Sequence, residues 1–148
     1  MRNFDEITIG QTAEKTTVIT SELIEKFAEV TGDDNPVHLD DTYAANTFFG
    51  RRVAHGMIAA SLQASLMGTV LPGHGTIYLS QKLEFKGPVY PQDSVTVKLE
   101  VLEKDESAKK IKLRTSAVKQ DGVVVLDGVA EVLLRPPRPS LKQNKTEK

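Results

Sequence analysis

From residue 53 to residue 81 the chain carries no Asp, Glu, Lys or Arg, although 26% of its 148 residues are charged. The helical part of that stretch, residues 56–71, begins at Gly56 and stops at Pro72-Gly73. It is apolar around almost its whole circumference, so it must be covered on nearly all sides. Sixteen residues rise about 24 Å, short of the roughly 30 Å of a bilayer's hydrocarbon core. Ser61, Gln63 and Ser65 within it also disfavour lipid. The segment therefore reads as the buried central helix of a soluble domain, not as a membrane span, and a curved sheet is what can cover it.

The strands follow at once. Residues 77–86 form the first candidate and residues 94–102 the second, where Val95, Val97, Leu99 and Val101 alternate strictly. Residues 110–119 alternate through Ile111, Leu113, Thr115 and Ala117. Asp121-Gly122 is a hairpin signal leading into residues 123–134, in which Gly128 marks a bulge or bend.

The first half is helix-rich. Residues 7–19 hold a first strand or extended arm. Thr20 or Ser21 then caps a helix to about Thr31, with Leu23, Ile24, Phe27, Ala28 and Val30 on one buried stripe and Gly32 as its stop. Residues 40–46 read as a short helical turn, and Phe48-Phe49-Gly50 as an apolar knuckle. The expected architecture is an α+β single domain over residues 1–135, with an antiparallel sheet wrapped around a long central helix. Residues 136–148, proline-rich and then polar, read as a disordered tail.

A net charge of -1 gives no support to nucleic-acid or anionic-membrane partners. The absence of cysteine removes disulfides, thiolate metal sites and cysteine nucleophiles together, which fits a cytoplasmic protein. The first eleven residues are acidic by the fifth and lack an apolar core, unlike a secretory signal. Three histidines without HxH, HExxH or cysteine spacing give no reason to expect a metal.

Residues 32–38 read Gly-Asp-Asp-Asn-Pro-Val-His. Proline fixes its own φ and pushes Asn35 toward extended geometry, so the loop from Asp33 to His38 is not expected to run helically, and the chain leaves the preceding helix and turns. That turn aims Asp33 and His38 at one point, the minimum equipment for moving protons. In isolation Asp-Asn-Pro is also an ordinary turn composition, and a lone histidine is more often structural.

Gly32-Asp33-Asp34-Asn35-Pro36-Val37-His38-Leu39-Asp40, followed by Ala54-His55-Gly56-Met57 and by Phe85-Lys86-Gly87-Pro88-Val89 with Asp93, resembles the MaoC-like branch of the hot-dog fold, in particular the (R)-specific enoyl-CoA hydratases. The resemblance spans residues 7–134. Two positions depart from it: Arg52 stands where proline is frequent, and Gln92 stands where glycine usually precedes the Asp.

The resemblance implies a hot-dog domain that hydrates trans-2-enoyl-CoA reversibly to the (R)-3-hydroxyacyl-CoA. It needs no cofactor and works as a homodimer with acyl-CoA near the subunit interface. It also implies that Asp33 and His38 hold the catalytic water between them, His38 acting toward water and Asp33 orienting it, or the reverse. An imidazole suits this work because its unperturbed pKa lies near neutrality. Gly56, opening the helix, offers an N–H to the thioester oxygen as enolate character develops. Asn35 braces the loop or touches the ligand. His55 is a structural residue, a pocket wall or a direct ligand contact. Arg51 and Arg52 either meet CoA phosphates or form a solvated pair. His74, between two glycines, is a solvated loop residue.

Three other functions remain compatible. Dehydration of (R)-3-hydroxyacyl-ACP would use the same dyad in reverse. Thioester hydrolysis calls for a carboxylate near the central helix, and residues 53–81 contain none. A non-catalytic acyl-CoA-binding module would have little use for the complete acid–imidazole motif.

Overall fold

A five-stranded antiparallel sheet, with strands Thr12–Val18, Ser94–Asp105, Lys110–Lys119, Val124–Leu134 and Thr76–Phe85 in spatial order, carries the central helix across one face. The computed structural model describes residues 2–135, so the expected tail lies outside the described residues. The strands are β1 (Thr12–Val18), β2 (Thr76–Phe85), β3 (Ser94–Asp105), β4 (Lys110–Lys119) and β5 (Val124–Leu134). The helices are α1 (Ser21–Thr31), α2 (Pro36–Leu39), α3 (Asp41–Ala45) and α4 (Gly56–Thr69). No helix among the described residues is long and apolar enough to cross a membrane.

Alternation decides which face of the sheet is buried. Val95, Val97, Leu99 and Val101 of β3, Ile111, Leu113, Thr115 and Ala117 of β4, and Leu126, Ala130 and Val132 of β5 all point inward. Ile58, Ala59, Ala60, Gln63, Leu66 and Met67 of α4 are buried with them. The opposite stripe of α4, Met57, Ser61 and Ser65, stays exposed, so cover on nearly all sides is not reached in the single chain. Ser61 Oγ there donates to the Met57 carbonyl at 2.8 Å, which lets a serine sit on a helix exterior at little cost.

The N-terminal helices end where their residues dictate. Thr20 Oγ1 accepts from the Leu23 N–H at 3.1 Å and starts α1, and Gly32, at φ 75°, ends it. Val30 does not join the buried stripe: it is 85% exposed, because six residues beyond Ile24 it has rotated to the other side. Pro36 does not keep the chain from helix. It occupies the first position of α2, where its missing N–H costs nothing, and Asn35 Oδ1 caps that turn from the Val37 N–H at 3.2 Å.

Gly128 pairs regularly with Leu83 and Thr115 rather than forming a bulge. A Cβ there would lie 1.9 Å from the Lys82 carbonyl oxygen, so close backbone approach is what requires glycine. The register irregularities fall elsewhere, at residues 79, 102 and 125. Gln92 adopts φ 74°, which accounts for the glycine that its position resembles.

Asp93 ties this turn to the sheet. Its carboxylate accepts from the Tyr90 N–H at 2.9 Å, from Gln120 Nε2 at 2.8 Å and from Lys119 Nζ at 3.0 Å. Burial alone raises its pKa, but the bonds from Gln120, the Tyr90 N–H and Lys119 outweigh burial and hold it below the ordinary value of 3.8. A depressed carboxyl contributes stability above its unfolded pKa and loses it as pH falls through the folded one. Asp93→Asn is therefore expected to cost about 1–3 kcal/mol at neutral pH. The gap from the parent should narrow only below the ordinary carboxylate range, in urea melts at pH 7 and at successively lower pH.

Candidate active site

The two motifs meet because the strap before α4 is pinned on both sides. The Val53 N–H donates to the Val37 carbonyl at 3.2 Å, and the Ala54 N–H donates to the Val89 carbonyl at 2.7 Å. The strap thereby lies between α2 and the 87–89 loop, and delivers His55 and Gly56 to the side chains of the 33–38 turn.

Asp33, His38 and His55 each place a polar atom within 4.8 Å of the others. His38 Nδ1 lies 2.7 Å from the Val53 carbonyl oxygen. A carbonyl only accepts, so Nδ1 carries the proton and Nε2 is left as a bare acceptor. His55 is 4% exposed, and its Nε2–H donates to the backbone carbonyl of Asp33 at 2.9 Å. Its ring stacks on that of His38, with centroids 3.8 Å apart and planes at 28°, and the Phe27 ring packs against the same His55 ring at 5.0 Å. His55 Nδ1 is buried without a partner among the described residues.

Stacking also bears on metal binding. Two imidazoles lying nearly parallel direct their in-plane lone pairs side by side, not toward one ion about 2.0–2.1 Å from each nitrogen. One nitrogen on each ring is already engaged as a donor to a carbonyl. The donor set does not fit a metal centre.

The Asp33 carboxylate is half-exposed. Oδ1 accepts weakly from the Asn35 N–H at 3.4 Å, and Oδ2 lies 4.0 Å from His55 Nε2. Its position is fixed through its backbone: the Asp33 N–H donates to Thr31 Oγ1 at 3.3 Å, and its carbonyl is held by His55.

A cavity of about 610 Å³ opens in front of His38. Its lining includes Asn35, His38, Gly56 and Ala59 together with Phe85, Lys86, Pro88 and Leu126. Gly56 holds the first position of α4, where a backbone N–H has no intrahelical acceptor and the helix end is partly positive. A Cβ at Gly56 would stand 2.9 Å from the Phe85 ring, so glycine keeps that approach open.

Of the residues singled out in the sequence, Asn35, His38 and Gly56 line the cavity, and Asp33 stands in the polar cluster beside it. His55 is no wall of the cavity; it lies behind His38. Arg51 and Arg52 do not line it either. Arg51 stacks on the Tyr90 ring at 3.8 Å. Arg52 donates through Nε to Asp41 Oδ1 at 2.8 Å and through Nη2 to Ser21 Oγ at 3.3 Å, turning away from the cavity mouth. His74 is exposed, as expected.

The cation that does line the cavity is Lys86, 2.8 Å from Glu84 Oε2. That pairing raises its pKa and, together with Lys82, holds the Glu84 carboxyl down at about 2. The Phe85-to-Val89 segment carried the signal for Lys86, but nothing in its spacing gives the direction of one side chain. Phe48, 98% exposed, and Phe49 also reach the cavity lining.

Residues 5–123 match the family model described as the MaoC like domain. A 3-hydroxybutyryl-CoA dehydratase of Methylorubrum extorquens is 42% identical over 135 residues, covering 91% of this chain and 84% of that protein. An (R)-specific enoyl-CoA hydratase of Aeromonas caviae is 40% identical, with 85% of this chain and 94% of that protein covered. Among solved structures, the unliganded R-hydratase of Pseudomonas aeruginosa superimposes with a TM-score of 0.86 at 45% identity, over 90% of this chain and 86% of the other.

Proposed function

This chain belongs to the MaoC-like domain family, and from that premise we propose that it adds water reversibly to trans-2-enoyl-CoA, forming the (R)-3-hydroxyacyl-CoA without a cofactor. One observation carries the reading: His38, with Nδ1 bonded to the Val53 carbonyl and Nε2 left bare, lines the same cavity as Gly56, the first residue of a helix.

Water held between Asp33 and His38 gives its proton to His38 Nε2 as its oxygen bonds to C3. The π electrons of the C2=C3 bond move toward the thioester carbonyl. The Gly56 N–H and the α4 N-terminus stabilise the oxygen as it gains enolate charge, without reorganisation at the moment of reaction. The dyad then returns the proton to C2, so the net change is addition of H and OH across one double bond. Asp33 orients the water and helps deliver that proton. Asn35 holds the turn through its cap on α2, and Lys86 supplies positive charge at the cavity.

The test is the loss of enoyl-thioester absorbance when the purified chain meets crotonyl-CoA, with product chirality read by coupled stereospecific dehydrogenases. Formation of the (R)-3-hydroxy product is expected. Formation of the (S) product, or hydrolysis of the thioester, would overturn the reading.

A homodimer forms part of this proposal. The two outer strands of the sheet differ sharply. β1 exposes Thr12, Glu14, Lys15, Thr16 and Val18, whereas β2 exposes the apolar run Ile77, Tyr78 and Leu79 and, further along, Phe85 beside Ser80, Lys82 and Glu84. An open apolar strand edge is a pairing surface, and two copies joined through β2 would close it. Sedimentation equilibrium at micromolar concentration should give twice the 16.2 kDa chain mass; a monomer would remove this part.

A further inference from the structure

His55 is a buried titratable side chain that the proposed reaction leaves unused. It is 4% exposed and does not line the cavity. Yet it touches both members of the dyad. Its Nε2–H donates to the Asp33 carbonyl at 2.9 Å, and its ring lies on that of His38 with centroids 3.8 Å apart.

Its own position is set from elsewhere. His55 is the N-cap residue of α4, directly before Gly56, and its carbonyl accepts from the Ile58 N–H at 3.0 Å. The bond from Ala54 to Val89 holds the strap one residue earlier, and Phe27 of α1 packs against the ring at 5.0 Å. A side chain anchored in this way fixes what it touches relative to the N-terminus of α4.

The partners of its two nitrogens decide what the ring offers. Nε2 carries a proton, because a carbonyl only accepts. The Asp33 carboxylate, 4.0 Å away, faces that same nitrogen. Nδ1 is buried with no partner among the described residues, so a second proton there would bury a charged donor unpaired. His55 therefore presents a neutral aromatic face to His38. In the proposed reaction His38 becomes an imidazolium when its Nε2 takes the proton from water. A cation lying flat on a neutral aromatic face is stabilised, more so where water is excluded. That gain exists only once the proton is moving, so it acts on the barrier and not on substrate binding.

We infer that His55 is the positioning residue of the dyad, its Nε2–H fixing the Asp33 turn and its ring face stabilising the imidazolium of His38; the inference rests on the hydratase reading. The experiment separates the two contacts. His55→Gln keeps an amide donor within reach of the Asp33 carbonyl and loses the ring, whereas His55→Phe keeps a ring and loses the donor. Each should lower kcat for crotonyl-CoA about tenfold and leave KM within about threefold, because neither contact reaches the substrate. The sharper readout is dependence on the partner. In a His38→Ala background, His55→Gln should change the residual kcat by less than about twofold, and in an Asp33→Asn background so should His55→Phe. A general loosening of the fold would carry its full loss into both backgrounds, and that result overturns the inference. Single variants within about twofold of the parent, or losses that fall on KM, overturn it as well. The parent supplies a check that needs no variant. Side-chain nitrogen NMR shifts at the assay pH should show His55 with one proton, on Nε2, and a doubly protonated His55 overturns the inference. The hydratase reading survives each of these results. A parent inactive on crotonyl-CoA overturns that reading and the inference with it.

Discussion

His38→Ala is expected to lower kcat/KM for crotonyl-CoA by about 10²–10⁴-fold, the usual worth of a positioned acid–base group. The size follows from geometry. His38 Nδ1–H donates to the Val53 carbonyl, so Nε2 is committed as the acceptor of a residue that lines the cavity. No other imidazole can substitute. The neighbouring His55 has its Nε2–H spent on the Asp33 carbonyl and its Nδ1 buried. Most of the loss should fall on kcat, because the variant keeps the Gly56 helix terminus and the apolar walls that bind substrate. A thermal melt within a few degrees of the parent would show that the fold survives. Turnover within tenfold of the parent would remove His38 from the chemistry.

The elements that hold this site were legible where local pattern governs them. Strict alternation marked β3 and β4 because each has one face on the core and one on solvent. Thr20 and Gly32 marked the ends of α1 through capping chemistry. Pro36 misled because its restriction acts on the residue before it, and a helix beginning at the proline itself is favoured. That His38 and Gly56 belong to one site was implied only by the resemblance their motifs carry.

What brings them together has no local signature. It is a pair of backbone bonds, from Val53 to Val37 and from Ala54 to Val89, that join segments far apart in sequence. The same limit governs the cations. Arg51 and Arg52 precede the site in sequence, yet Tyr90, Asp41 and Ser21 decide where they point. Gln63 was visible only as an argument against lipid; that its amide is unpaired emerges from packing alone.

Asp33→Asn is expected to cost a similar 10²–10⁴-fold in kcat/KM for crotonyl-CoA. The substitution is nearly isosteric, and the residue is placed by its backbone through His55 and Thr31. The water site should therefore keep its shape and lose only the carboxylate that orients the water and carries the proton toward C2. Because an amide cannot take up that proton, kcat should fall while KM changes little. Residues that act as a unit lose far less together than the product of their separate losses. The double variant Asp33→Asn/His38→Ala should accordingly sit within about tenfold of the worse single variant. The residual rate would come from the Gly56 N–H and from substrate binding, neither of which the two substitutions touch. Losses that multiply in the double variant would mean that Asp33 and His38 act on separate steps, and the shared water between them would have to be abandoned.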